Sequence, residues 1–158
     1  MRLLRTRPIR PVSAFVVGTG TLTSEDGGTT WGLLPSQPPG GEIHVVLTAS
    51  RGVLYAASGS GLATTTDAGA TWKLLPSRPS GQVISLVAAA SDAQLLYAGT
   101  PNGLVKSSDG GATWNELGPV AVPVLAIAVN PSDANHVLAL SNEGDLFRTD
   151  DGGESWNS

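Results

Sequence analysis

The sequence predicts an all-β fold built from about four similar units. Three observations predict it: the composition, a repeated octapeptide, and the short apolar runs between its copies. The 158 residues include 20 Gly and 11 Pro, whereas charged residues make up only 14%. This balance is typical of turn-rich β structure and lies below the roughly 25–30% of Pro and Gly at which disorder is the better interpretation. The chain has no cysteine, which excludes a disulfide scaffold, a thiolate metal site and a cysteine nucleophile.

The octapeptide occurs four times at a nearly constant period. Its pattern is Ser or Thr, any residue, Asp, any residue, Gly, any residue, Thr or Ser, and Trp. We call each copy a box, and the four boxes span residues 24–31, 65–72, 107–114 and 149–156. Such a period indicates a fold assembled from equivalent units.

The runs between the boxes are rich in Val, Ile and Leu and are bounded by Gly, Pro, Asn or Asp, which predicts strands. Each repeat holds four such strands, A to D in chain order, with the box as the C–D turn. Strand A is predicted at 43–48, 83–88 and 124–129. A four-stranded repeat of about 40–45 residues is what one blade of a β-propeller requires. The predicted fold is therefore a β-propeller of about four four-stranded antiparallel blades, either complete or part of a larger ring.

The predicted organisation is a basic leader followed by the repeats. The leader spans residues 1–12 and the repeats span 13–158, with blades at about 13–36, 41–77, 81–118 and 122–158. Four of the nine Lys and Arg residues lie in the leader, so the rest of the chain is strongly acidic. Because an acidic surface repels phosphate backbones, nucleic acid is not expected as a partner.

No targeting segment is predicted. The apolar run at 14–17 is much shorter than the roughly 7–15 residues of a signal-peptide core. No stretch approaches the roughly 20 apolar residues of a membrane span. The chain is expected to be soluble, and both an extracellular and a cytoplasmic location stay open.

The boxes are predicted to be structural. Glycine accepts positive φ in a tight turn, the aspartate accepts hydrogen bonds from backbone amides, and the tryptophan folds over the hairpin. A carboxylate in a glycine-rich turn also suggests Ca²⁺, but one acid per copy is far short of the roughly six to eight oxygen ligands of that ion. The residues given this structural role are Asp26, Trp31, Asp67, Trp72, Asp109, Trp114, Asp151 and Trp156.

These boxes resemble the Asp-box (BNR) repeats of a β-propeller family, over roughly residues 13–158. Segment 130–138 is similar to the A–B turn of bacterial repeat proteins in this group. Relatives with this box include sialidases, xyloglucanase-type glycosidases, sortilin-type receptors and photosystem II assembly factors. The resemblance implies the propeller fold. It does not choose a function, because the family spans hydrolases, receptors and assembly factors.

The strand order predicts where a ligand would bind. In an antiparallel blade the A–B turns and the boxes share one face of the ring, which we call the box face. The B–C turns and the D–A loops between blades share the other, which we call the loop face. The resemblance to glycosidases implies that the loop face takes the ligand. The candidate ligand residues on that face are His44, Glu42, Arg78, Asn102 and Glu143.

His44 is the most interesting of these candidates because it lies near the loop-face end of strand A. A functional interpretation makes it a hydrogen-bonding or acid–base group at the mouth of the central channel. The alternative is a partly exposed strand histidine with no role. His136 is expected at the start of a strand B on the box face, so the two histidines do not form a metal site.

The loop face shows no complete catalytic set. A glycosidase needs two carboxylates across its substrate, and the candidates are Glu42, Glu143 and Asp145. A sialidase-like site would also need an arginine cluster. Tyr55 and Tyr97 recur at the same place in strand B and are interpreted as packing residues. No catalytic residue, cofactor or metal is assigned.

The blade count leaves the closure of the ring open. The first copy lacks a clear strand A unless the leader supplies it, and the chain ends shortly after Trp156. An open arc exposes two apolar sheet faces. Three outcomes are considered: a closed four-bladed ring, a homodimer that forms an eight-bladed ring, and a piece of a longer propeller. The abrupt end at Ser158 favours the last two.

The first functional prediction is a non-catalytic binding or scaffold module that takes a protein or glycan partner on its loop face. The first alternative is a fragment of a sialidase-like or xyloglucanase-like glycoside hydrolase. The second alternative is a protein similar to photosystem II assembly factors. The missing catalytic set favours the binding module over the hydrolase, and the sequence is almost silent on the assembly factor.

Overall fold

The computed structural model describes residues 12–16, 19–50, 52–118 and 120–158, and all the regular elements in these ranges are β-strands. Val12 apart, the basic leader lies outside the described residues, and so does any strand A that it supplies to the first repeat. Within the described ranges, no helix is long and apolar enough to cross a membrane.

The strands form four antiparallel sheets that follow one another along the chain, and we number these sheets as blades 1 to 4. Blade 1 contains β1 (Val12–Val16), β2 (Gly20–Ser24) and β3 (Gly32–Leu33). Blade 2 contains β4 (Ile43–Ser50), β5 (Val53–Ser58), β6 (Gly61–Thr65) and β7 (Lys73–Leu74). Blade 3 contains β8 (Ser85–Ala89), β9 (Asp92–Thr100), β10 (Gly103–Ser107) and β11 (Asn115–Glu116). Blade 4 contains β12 (Val124–Asn130), β13 (Asp133–Ser141) and β14 (Leu146–Thr149).

This architecture confirms the predicted β-propeller of about four antiparallel blades. Blades 2 and 3 show all four strands in the order A-B-C-D. The described part of blade 1 contains strands B, C and D. In blade 4 the outermost strand is reduced to a single bridge between Arg148 and Asn157.

The innermost described strands of neighbouring blades lie side by side. Strand β4 packs on β8, β8 packs on β12, and β1 packs on β4. Strands β1 and β12 share no contact of comparable extent in the described part of the chain. The described strands of the four blades therefore form an open arc.

Hydrogen bonds between turns confirm that each blade has a box face and a loop face. On the box face, the amide of Gly110 in the third box donates to the carbonyl of Gln94, just after the A–B turn of the same blade, at 2.9 Å. On the loop face, the hydroxyl of Ser60 in a B–C turn donates to the carbonyl of Gly40 in a D–A loop at 2.6 Å. The boxes and the candidate ligand residues thus lie at opposite ends of the blades.

Candidate functional site

Each box is a compact hydrogen-bonded turn built around its aspartate. In the third box the Ser107 hydroxyl donates to Asp109 Oδ1 at 2.8 Å and accepts the Gly111 amide at 2.8 Å. The amide and hydroxyl of Thr113 donate to Asp109 Oδ1 and Oδ2 at 2.9 and 2.6 Å. Both carboxylate oxygens already accept hydrogen bonds from within the turn, which supports the structural interpretation of the boxes.

The same donors hold the box carboxylates in their charged form. Hydrogen bonds from the Thr30 side chain and from Thr113 lower the pKa of Asp26 and Asp109, respectively, to about 2. The Thr65 hydroxyl has the largest effect on Asp67, whose pKa is also about 2. The Ser155 hydroxyl depresses the pKa of Asp151 further. The aspartates of all four boxes are therefore ionised at neutral pH, and each is held by hydrogen bonds from its own box.

The boxes also join neighbouring blades. A Cβ added at Gly111 would lie 2.7 Å from Leu75 of the preceding blade, and one at Gly153 would lie 2.7 Å from Leu117. A Cβ at Gly69 would meet Leu34 in the same way, at 2.9 Å. Glycine is favoured at these positions because each has a positive φ, of 86° at Gly69, 88° at Gly111 and 102° at Gly153, and because a leucine from the preceding blade packs closely against it.

The recurring tyrosines make a second contact between blades. The Tyr55 hydroxyl donates to the carbonyl of Ala93 in blade 3 at 3.2 Å, and the Tyr97 hydroxyl donates to the carbonyl of Ala134 in blade 4 at 3.2 Å. Burial raises the pKa of both phenols. Their equivalent contacts agree with the interpretation of these residues as packing residues.

The loop face carries a cleft of about 690 Å³ between blades 2 and 3. Two of the predicted ligand residues, His44 and Arg78, lie in its lining. The D–A loop that follows β7 forms one wall, and strand β4 with the β5–β6 turn forms the other. The lining is completed by Ser58, Gly59, Gly61, Leu62, Pro79, Ser80, Gly81, Gln82 and Val83.

An irregularity in strand β4 presents His44 to this cleft. Ile43 pairs with Ser58 and Val45 pairs with Ala57, so His44 is an extra residue between two paired positions. Such a bulge turns a side chain out of the regular alternation of a strand. Ile43 is buried and His44 is exposed as a result.

The matching residues of the next two blades are apolar. Ile84 and Leu125 occupy the position of His44, and both are exposed. Leu125 lies in the same kind of register shift, between Val124 and Ala126. The histidine is therefore a departure from the repeat and occurs in only one of these three blades, blade 2.

Three polar side chains of the cleft have no partner within the protein, whereas the hydroxyls of Ser58 and Ser80 are hydrogen-bonded. Among the described residues, Arg78, His44 and Gln82 make no side-chain hydrogen bond or ion pair with the rest of the protein. None of the lining residues is acidic. The cleft thus offers a guanidinium, an imidazole and an amide in a chain whose net charge is −4.

The other three candidate residues lie on the loop face outside the lining of this cleft. Glu42 directly precedes strand β4 and is exposed. Asn102 lines a small neighbouring pocket and donates to the carbonyl of Ser80 at 3.3 Å. Glu143 lies in the β13–β14 turn of blade 4, where its amide donates to the Ser141 hydroxyl at 3.2 Å.

The candidate carboxylates are divided between two blades. Glu143 and Asp145 share the β13–β14 turn, whereas Glu42 belongs to blade 2. In the described part of the chain, no group of three or more His, Cys, Asp and Glu residues could hold a metal ion. The cleft therefore supplies the side chains of Arg78, His44 and Gln82 and no carboxylate.

Sequence reasoning did not single out Gln82 or Ser80. Gln82 belongs to a loop predicted from its prolines and glycine, and nothing in its own pattern distinguishes it from a solvated loop residue. Ser80 is held by its neighbours, since its hydroxyl donates to Glu116 Oε1 at 3.1 Å. That contact joins residues 36 positions apart, so the sequence carried no local signal for it.

The fold and the boxes define the class of this protein as a β-propeller of Asp-box repeats, which confirms the resemblance drawn from the sequence. Residues 41–158 match the model of the family described as the DUF6242 beta propeller domain, and the chain belongs to this family. None of the curated protein sequences matches the chain.

Solved structures with a similar fold include a xyloglucanase, a sialidase and YCF48. The GH74 xyloglucanase from Xanthomonas campestris superposes with a TM-score of 0.68 at 22% identity, over 94% of this chain and 26% of that chain. YCF48 from Cyanidioschyzon merolae superposes with a TM-score of 0.65 at 19% identity, over 87% of this chain and 49% of that one. A Hadza microbial sialidase gives 0.51 at 21% identity, over 83% and 30% of the two chains. The present chain thus spans at most about half of these structures, and at such identities they establish the fold alone.

Proposed function

We propose that this β-propeller domain is a non-catalytic binding module whose loop face takes a protein or glycan partner at the cleft between blades 2 and 3. The observation that carries the proposal is the cleft itself, with a volume of about 690 Å³ and with Arg78 and His44 in its lining. Pockets of about 300–1,000 Å³ are typical of sites for small ligands. A cleft of this size also accommodates a short segment of a larger partner.

The chemistry of the lining indicates what the partner presents. Arg78 and the Gln82 amide donate hydrogen bonds, so the ligand is expected to bring acceptor oxygens, as carbonyls, carboxylates or sugar hydroxyls do. Leu62, Pro79 and Val83 lie beneath these donors and are themselves buried. The ligand is therefore expected to be rich in oxygen acceptors.

The proposal is tested by screening the purified chain on a glycan array and against a phage-displayed peptide library, followed by calorimetry with the best probe. Arg78→Ala is expected to weaken binding at least tenfold, because a hydrogen bond to a charged group is worth about 1.5–3 kcal/mol. Lys73→Ala is the matched control, since Lys73 is an exposed cation of the same blade on strand β7, outside the cleft. Equal losses in both variants, or no binding in either screen, would contradict the proposal.

Catalysis is tested with the same probe. A bound glycan is expected to stay intact, with no new reducing ends after prolonged incubation. Hydrolysis that depends on Glu42, Glu143 or His44 would overturn the proposal. It would favour a second candidate function, in which the chain is part of a glycoside hydrolase. The observation that supports this candidate is the pair of exposed carboxylates, Glu143 and Asp145, on the loop face.

A further inference from the structure

The second residue of strand C has a backbone amide that faces the outer strand of its blade. In blades 1, 2 and 3 this residue is Thr21, Leu62 and Leu104, respectively. The carbonyl of each accepts a hydrogen bond from the leucine three residues after the box tryptophan, at 3.0, 2.9 and 2.9 Å. Because the amide and the carbonyl of one residue in an antiparallel strand point to the same neighbour, the three amides face that side as well.

In blades 1 and 3 this amide has an acceptor from the loop that follows the outer strand. The Thr21 amide donates to the side-chain carbonyl oxygen of Gln37, Oε1, at 2.6 Å. The Leu104 amide donates to the backbone carbonyl of Val120 at 3.4 Å. Gln37 and Val120 each lie three residues after the leucine that donates to strand C. The D–A loop thus supplies the acceptor from an equivalent position in both blades.

In blade 2 the equivalent loop residue is Arg78, whose guanidinium has hydrogen-bond donors and no acceptor. Among the described residues, none accepts a hydrogen bond from the Leu62 amide on the side of the outer strand. Leu62 is only 1% exposed, and buried amides in proteins normally have a partner. Leu62 and Arg78 both line the cleft between blades 2 and 3. The Leu62 amide is therefore available to a ligand in this cleft.

The glycine that begins each strand C shows the same difference in the surrounding space. A Cβ built on Gly20 would lie 2.7 Å from Gln37 Oε1, and one built on Gly103 would collide with the Val120 carbonyl oxygen. A Cβ built on Gly61 would have no described atom within 4 Å. Gly61 also lines the cleft. The place that an acceptor oxygen occupies in blades 1 and 3 is thus open to the cleft in blade 2.

We propose that this place binds a carboxylate of the ligand, which accepts hydrogen bonds from the Leu62 amide and from Arg78. The inference rests on the proposed function, since it names the chemical group by which the partner enters the same cleft. A carboxylate has the planar shape of the Gln37 carboxamide that serves strand C in blade 1. Its charge complements Arg78, which has no partner among the described residues, in a cleft whose lining has no acidic residue.

The carboxylate site is tested by NMR titration of the isotope-labelled chain at constant ionic strength. The probe is acetate, and acetamide is the uncharged control of the same shape. The Leu62 amide resonance is expected to shift downfield and to saturate with acetate, because the amide gains a charged acceptor. Acetamide should bind at least tenfold more weakly, since hydrogen bonds to charged groups are roughly twice as strong as neutral ones. An equal or stronger response to acetamide, or no shift at Leu62, would overturn the proposal.

Exchanging the loop residues of blades 1 and 2 tests the role of Arg78. Arg78→Gln should abolish the acetate response and raise the urea midpoint of unfolding, because the chain then supplies its own acceptor as in blade 1. Gln37→Arg should lower the midpoint, because it leaves the Thr21 amide without its acceptor. Lys73→Gln removes an exposed charge of blade 2 outside the cleft and should change neither the acetate response nor the midpoint. Acetate that still binds at Leu62 in the Arg78→Gln chain would overturn the proposal.

Failure of the carboxylate site can be told apart from failure of the binding module. A partner from the glycan or peptide screen that binds equally well after its carboxylates are converted to amides would overturn the carboxylate site and leave the binding module standing. Acetate that saturates the Leu62 amide, together with no partner in either screen, would support the carboxylate site and contradict the binding module.

Discussion

At the scale of single residues, one buried hydroxyl organises each box. Ser107 is fully buried and both donates to Asp109 and accepts the Gly111 amide. The adjacent Ser108 is exposed. The two serines therefore allow a matched comparison within one turn.

We expect Ser107→Ala to lower the free energy of unfolding by about 1–3 kcal/mol, since it leaves a buried amide without its acceptor. Ser108→Ala should change it by less than about 0.5 kcal/mol, as is usual for surface substitutions. Urea denaturation measures both. Similar values for the two variants would show that the hydroxyl does not hold the box together.

The box aspartates predict how stability depends on pH. Their pKa in the folded chain is about 2 for Asp26, Asp67 and Asp109, below the ordinary 3.8, because the turn donates hydrogen bonds to the carboxylates. The unfolded chain therefore binds more protons than the folded chain between about pH 5 and pH 2. The contribution of the boxes is complete above this range and is lost as the pH falls through it.

Thermal unfolding measured from pH 7 to pH 2 should show this loss as a falling melting temperature below about pH 5. Asp109→Asn removes one of the titrating groups and should reduce the slope in that range. Asp92→Asn serves as a control, because Asp92 is outside the boxes. A melting temperature that is constant below pH 5 would show that these hydrogen bonds do not stabilise the charged aspartates in the folded chain.

Residues that recur in each repeat were the easiest to predict. The boxes and the packing role of Tyr55 and Tyr97 were predicted because their spacing carries the information. His44 does not repeat, and it was predicted as a candidate from its place near the loop-face end of strand A. The bulge that turns it outward depends on the pairing of Ile43 with Ser58 and of Val45 with Ala57, which the sequence of β4 alone does not specify.

At the scale of elements, the box tryptophans differ in how far they join blades. The Trp114 ring is half-buried against the cluster shared by blades 2 and 3. Trp31 is 42% exposed, and its indole nitrogen donates to Gly28 within its own box at 3.0 Å. Trp114 thus packs between two blades, whereas Trp31 contacts its own turn.

We expect Trp114→Ala to cost about 3 kcal/mol of unfolding free energy, near the lower end of the range for large aromatic residues because the ring is only half-buried. Trp31→Ala should cost less, since it removes less buried surface. Chemical denaturation of the two variants checks the order. A larger loss at Trp31 would show that the first box is packed as tightly as the third.

The strands that were easiest to predict are the inner ones. The A strands are continuous runs rich in Val, Ile, Leu and Ala, and this produced a clear signal. The outer strands β3, β7 and β11 are only two residues long and fully exposed, so they carry almost no pattern. Their existence was predicted from the repeat rather than from their own residues.

At the scale of the whole molecule, the propeller was predictable and the cleft was not. A constant period fixes the number of blades and assigns each turn to one of two faces. The cleft depends on how far the D–A loop after β7 stands from the β5–β6 turn, which is set by contacts such as that of Ser80 with Glu116. Such distances arise from packing, and packing has no local sequence signature.

The contact between the box glycines and the leucines of the preceding blade bears on how such a protein gains repeats by duplication. Each of blades 2 and 3 carries both halves of a joint, a glycine that opens a space and, three residues after the tryptophan, a leucine that fills the space in its neighbour. A duplicated stretch of one period brings a complete joint with it. The glycine–leucine contact is thus encoded within each period of the sequence, and a tandem duplication of one period is expected to preserve it.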